Sequence, residues 1–213
     1  LKATLKLRIT IDIVIGCGVA AAISAGFNAP LAGIMFAHEA ILRHFSMKAI
    51  APIAIASGTA FAVHNYLWGA STPLVQFYLP SEIGPILLIS ITAGPFFGLI
   101  ALLFMSSILM FSTLPKRMGL SIFQAFLVAV TGLSIIGTFY PEAMGLGTLA
   151  IVNLTNESPL LLVALAILIA KIIATSLSLG FGFFGGVFSP ALLVGAAAGA
   201  VATAVINLTG LYS

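Results

Sequence analysis

The chain has 213 residues, 61% hydrophobic and 6% charged, with a mean hydropathy of +1.25. Eight Lys and Arg against five Asp and Glu leave a net charge of +3, far below the ~25% charged residues that solvate a soluble domain. This composition points to an integral membrane protein and away from a soluble enzyme, a disordered tail or a nucleic-acid-binding module, because the basic residues are scattered rather than patched.

Charges divide the sequence into apolar stretches, and helices are predicted over 10–26, 30–43, 49–68, 83–113, 119–138, 159–178 and 187–206. Lys2, Lys6 and Arg8 precede the first. They lead into membrane-grade sequence with no small-residue cleavage site, so no signal peptide is read. The chain starts at Leu1 and reads as a piece of a longer protein. Cys17 is its single cysteine, which excludes an intramolecular disulfide and any Cys-x-x-Cys metal site.

The stretch 13–38 is interrupted at Gly26-Phe27-Asn28-Ala29-Pro30. Asn28 stops one helix and Pro30 suits the first turn of the next. Each half is short for a span, so tilted or broken helices packed on other protein are expected. A second interruption runs from Gly180 to Pro190, with glycines at 180, 182, 185 and 186. It predicts non-helical backbone at membrane depth, tolerated only where protein or a water-filled cavity satisfies it. Small residues crowd 16–26 and 195–204, the composition of closely packed membrane helices.

Three basic clusters (Lys2, Lys6 and Arg8; Arg43 and Lys48; Lys116 and Arg117) are separated by two predicted crossings each. The positive-inside rule puts all three on the cytoplasmic side. The segments 69–82 and 139–158 carry Glu82, Glu142 and Glu157 without Lys or Arg and read as outer loops.

Few residues can carry chemistry. Gly185-Gly186-Val187-Phe188-Ser189-Pro190 opens an apolar helix. A helix N-terminus presents unpaired N–H groups and about half a positive charge, so it can bind an anion without a full countercharge. The competing reading is a kink that only turns the chain. Lys171 lies inside a predicted span, either as a functional cation or as a lysine snorkelling from a helix end. Glu39, beside His38, stands four residues before Arg43. That spacing suits a helical ion pair, and a proton relay is the alternative. His38 and His44 are six apart, roughly 120° around a helix. They do not match the His-Glu-x-x-His zinc signature, and no metal site or cofactor is expected. Asn153, Asn156 and Asn207 begin glycosylation triplets, which are common by chance.

Residues 25–39, AGFNAPLAGIMFAHE, resemble the AAFNAPLAGxLFxxE segment of the CLC chloride channel and transporter family. Gly186 to Pro190 resembles that family's GxFxP anion motif, and Lys171 falls where the family carries a basic residue upstream of it. The resemblance implies an all-α membrane protein, part of an inverted-repeat helical bundle with tilted and broken helices. Residues 1–213 are then the middle of its membrane domain. It implies a homodimer in a lipid membrane, a bacterial inner membrane being expected, with chloride or a similar anion as transported ion. It further implies backbone amides of Val187 and Phe188 as ligands, Gly185 and Gly186 permitting close approach and Pro190 opening the helix behind. The family's GSGIP and G-[K/R]-E-G-P motifs are absent and belong upstream of Leu1; its pore tyrosine belongs beyond Ser213. Where some antiporters carry two adjacent acids, this chain has Glu39-Ala40. Glu39 matches the first, and Ala40 replaces the internal proton glutamate. That favours a channel or uncoupled carrier over a proton-coupled antiporter, with an intramembrane enzyme a remote alternative.

Overall fold

The computed structural model describes residues 10–69, 83–156 and 160–209, and the regular structure among them is all helical, with no strand. The chain divides into two compact units, residues 1–73 and 74–213. Among the described residues, five helices are long and apolar enough to cross a membrane: Met47–Trp68, Ala93–Arg117, Ile122–Phe139, Leu161–Gly180 and Phe188–Leu208. The all-α architecture expected from the apolar stretches and the resemblance is the architecture of the described residues.

In the first unit, α1 (Ile11–Phe27) and α2 (Pro30–Phe36) are separated at Asn28, which takes the left-handed conformation with φ 53°. Pro30 sits in the first turn of α2, where a missing N–H leaves no bond unmade. Both helices pack on α3 (Met47–Trp68). The small residues act at named contacts: a Cβ on Gly33 would lie 2.6 Å from the Ala20 carbonyl oxygen, and one on Gly16 would lie 2.8 Å from Leu42 Cδ1. Ser24 Oγ donates to Ser57 O at 2.7 Å, and Ser57 Oγ donates to Pro30 O at 2.8 Å. These bonds tie the α1–α2 break to α3 through buried hydroxyls.

The sequence predicts one α-helix over 30–43. The structure instead winds Ala37–Leu42 as a π-helix that ends on Arg43 at φ 57°. Of the outer loop expected over 69–82, residues 70–82 lie outside the described residues, as do the basic residues 2–8.

In the second unit, α7 (Leu161–Gly180) packs against α4 (Ile83–Arg117), α5 (Ile122–Phe139) and α8 (Phe188–Thr209). Ser121 caps α5 in a reciprocal box with Gln124, satisfying two donors at that end. The core joins Ile100 and Phe104 of α4 to Ile167 and Leu168 of α7 and to Leu193, Ala197 and Ala198 of α8. A Cβ on Gly180 would lie 2.7 Å from Phe111 main chain, so α4 and α7 approach at backbone distance there.

One expectation is corrected. The charge pattern predicts an outer loop over 139–158, but its described residues include a 3-10 turn (Pro141–Ala143) and a helix, α6 (Thr148–Asn156). Ala150, Ile151 and Leu154 of α6 are buried in the core beside α8. The preceding turn meets α7 at Lys171, about 15 Å along the axis from Leu161 at 1.5 Å per residue. The segment therefore dips to mid-helix depth instead of lying beyond the helix end.

Candidate anion-binding site

The site begins where α7 stops. Gly182 takes φ 96°; its N–H donates to Leu179 O at 3.2 Å, and that of Phe183 donates to Ser178 O at 3.0 Å. These two bonds form the Schellman closure, whose positive φ a glycine adopts without a Cβ clash. The backbone is then non-helical from 183 to 187, as the glycine run predicts, and α8 starts at Phe188.

Gly185, Gly186 and Val187 are exposed, while Phe188, Ser189 and Pro190 are half-buried. The backbone N–H groups of Gly185, Gly186 and Val187 meet no acceptor among the described residues. They stand at the positive end of a 22-residue helix. Pro190 lies in the first turn, where its lack of an N–H removes no intrahelical bond.

Ser189 Oγ donates to Leu146 O at 2.8 Å. A hydroxyl has one proton, so the side chain is committed to the turn before α6. Its main-chain N–H is what it can offer an anion.

Lys171 is buried, 3% exposed, and its Nζ donates to Ala143 O at 2.9 Å and Gly145 O at 2.8 Å. The snorkelling alternative is corrected by this geometry: the ammonium sits midway along α7 and is solvated by carbonyls, not by the interface. No carboxylate pairs with it among the described residues. Gly145 and Gly147 have φ 59° and 74°, which keeps this turn out of a helix and leaves its carbonyls free for Lys171. A Cβ on Gly147 would lie 2.6 Å from Leu193 Cδ2, so the turn is pressed onto α8. Sequence reasoning found Lys171 and the 185–190 run but not the carbonyls of Ala143, Gly145 and Leu146. Pro141, Gly145 and Gly147 signal a turn, yet a main-chain acceptor has no residue type to announce it.

Glu39 belongs to the first unit, on the π-helix, and is exposed. The expected ion pair with Arg43 does not form. The i→i+5 winding takes i and i+4 off one face, and Arg43 leaves the helix in a left-handed conformation. His38 is buried, 1% exposed, and stacks on Phe45 at 5.2 Å. Its Nδ1 faces His44 O at 3.4 Å and its Nε2 has no partner among the described residues; His44 Nδ1 faces Leu42 O at 2.7 Å. Each ring is thus committed to main chain rather than to a common ligand.

Comparison with known families matches residues 2–212 to the family described as voltage gated chloride channel. The chain belongs to the voltage-gated chloride channel family. Its relatives include proteins named voltage-gated ClC-type chloride channel ClcB from Escherichia coli strains UMN026, SMS-3-5 and E24377A. Each is 30% identical over 189 residues, which cover 87% of this chain and 44% of the relative. The chain therefore spans less than half the length of these relatives. Membership in a channel family sets the intramembrane enzyme aside. The five spans and the bacterial relatives agree with an integral protein of a bacterial inner membrane. Within the family frame, both segments that carried the resemblance are helix breaks: Asn28 between α1 and α2, and 181–187 between α7 and α8.

Proposed function

We propose that the protein carrying this chain moves chloride or a similar small anion across the membrane, through a site to which residues 185–190 contribute backbone amides. The observation that supports this most directly is the set of N–H groups at Gly185, Gly186 and Val187, unengaged among the described residues and standing at the head of α8. An anion leaving water loses its hydration shell, and N–H donors with a helix dipole replace it without a salt bridge. Binding stays weak enough for release, as conduction requires. The channel-like or uncoupled mode is favoured because Ala40 carries no proton where the resemblance places an acid, and a homodimer is the assembly the family resemblance implies.

The test uses the full-length protein in liposomes with an imposed chloride gradient, recording chloride flux and internal pH together. Chloride flux without proton movement supports this reading. Uphill proton movement means a coupled antiporter and overturns the uncoupled mode. Absence of any anion flux overturns the reading altogether.

A further inference from the structure

We infer that Lys171 and Ser189 are positioning residues: they act through the turn 143–147 to hold the head of α8, and with it the amides of the candidate anion site. The inference rests on the anion reading above and names how that site is held.

A lysine at the middle of an apolar span is expensive. Packing alone is satisfied by Leu or Met, so the ammonium needs a reason. Its two acceptors supply one. Ala143 O and Gly145 O belong to a non-helical turn at the level of the middle of α7, and an unpaired carbonyl at membrane depth is costly. Lys171 satisfies both and fixes the turn to α7. The next carbonyl along, Leu146 O, is held by Ser189 of α8. Adjacent carbonyls of one turn are thus gripped from two different helices, and the residue after them, Gly147, is in contact range of Leu193 on α8.

The connection to the anion site is short. Ser189 directly follows Phe188 and lies two residues from Val187, whose N–H is unengaged among the described residues. A displacement of the turn at Gly145 passes to Leu146, then through one hydrogen bond to Ser189 and the first turn of α8. The hydroxyl of Ser189 is already used by Leu146 O, so its side chain influences an anion through this tether.

The test is chloride binding by calorimetry to purified full-length protein, with a melting curve for each variant. Lys171→Met leaves the buried Ala143 carbonyl and the Gly145 carbonyl without their donor and is expected to weaken the chloride Kd roughly tenfold. Ser189→Ala is expected to weaken it about threefold, a smaller loss because one neutral bond is removed. The double variant is expected to bind no more weakly than Lys171→Met, since both changes release one turn. A folded Lys171→Met with the wild-type Kd and only a lower melting temperature overturns the inference, as does additivity in the double variant. Should Lys171→Met not fold, Ser189→Ala decides alone, and a wild-type Kd there overturns it. Wild-type protein that binds no chloride overturns the anion reading itself, a result distinct from wild-type binding with unchanged variants.

Discussion

Glycine 33 shows how much depends on one missing methyl group. Its backbone passes so close to Ala20 that an added Cβ would sit 2.6 Å from a carbonyl oxygen, and main chain cannot swing aside as a side chain can. Gly33→Ala is expected to destabilise the protein by about 1–3 kcal/mol, read from unfolding in detergent. Gly18, in the small-residue run 16–26 that holds Ala20, is different: a Cβ added there would meet nothing within 4 Å. Gly18→Ala is expected to be neutral or to stabilise by up to about 1 kcal/mol, the helix-propensity difference. Composition shows that the run 16–26 packs closely. It does not show which glycine makes the contact, because that depends on the register between α1 and α2. Lys171 is the same lesson in polar form: its presence in a span was plain from the sequence, and its carbonyl partners were not.

Helix breaks were legible because each has its own chemistry. Asn28 followed by Pro30 ends one helix and starts another, and the glycines from 180 onward supply the positive φ that closes α7. Asn28→Val is expected to cost about 1–2 kcal/mol relative to Asn28→Gly, because a branched side chain is strained at φ 53°. A pair of melting curves in detergent checks it. Helix α6 was missed for an equally physical reason. Its nine residues include Asn153, Thr155 and Asn156, and the charge pattern around it is that of a loop. Only burial of Ala150, Ile151 and Leu154 against α8 makes it a helix, and tertiary burial has no local signature. The π-helix at Ala37–Leu42 was hidden too, since its residues satisfy an α-helical pattern equally well.

For the molecule as a whole, composition was enough for the membrane, and the apolar stretches with the family resemblance supplied the all-α class. The family followed from two segments about 150 residues apart in sequence. The proposed transport mode rests on a single position. If transport is uncoupled as proposed, Ala40→Glu, placed beside exposed Glu39, is expected to retain chloride flux in liposomes and to add proton movement, seen as an internal pH change. Unchanged pH in a variant with intact flux removes Ala40 as the ground for the uncoupled reading.

The carbonyl grip on Lys171 also bears on how the chain is made. A charged residue at the centre of a helix opposes entry of that helix into the bilayer by about 2.5–3.5 kcal/mol during synthesis. The groups that solvate this ammonium, Ala143 O and Gly145 O, precede it by 28 and 26 residues. They have already left the ribosome when α7 emerges, so the nascent chain carries its own solvent for the lysine. Partitioning of α7 into the membrane is expected to fall when 141–147 is replaced by a flexible linker. With Lys171→Leu it is expected to become indifferent to that replacement, in an assay that scores insertion by glycosylation.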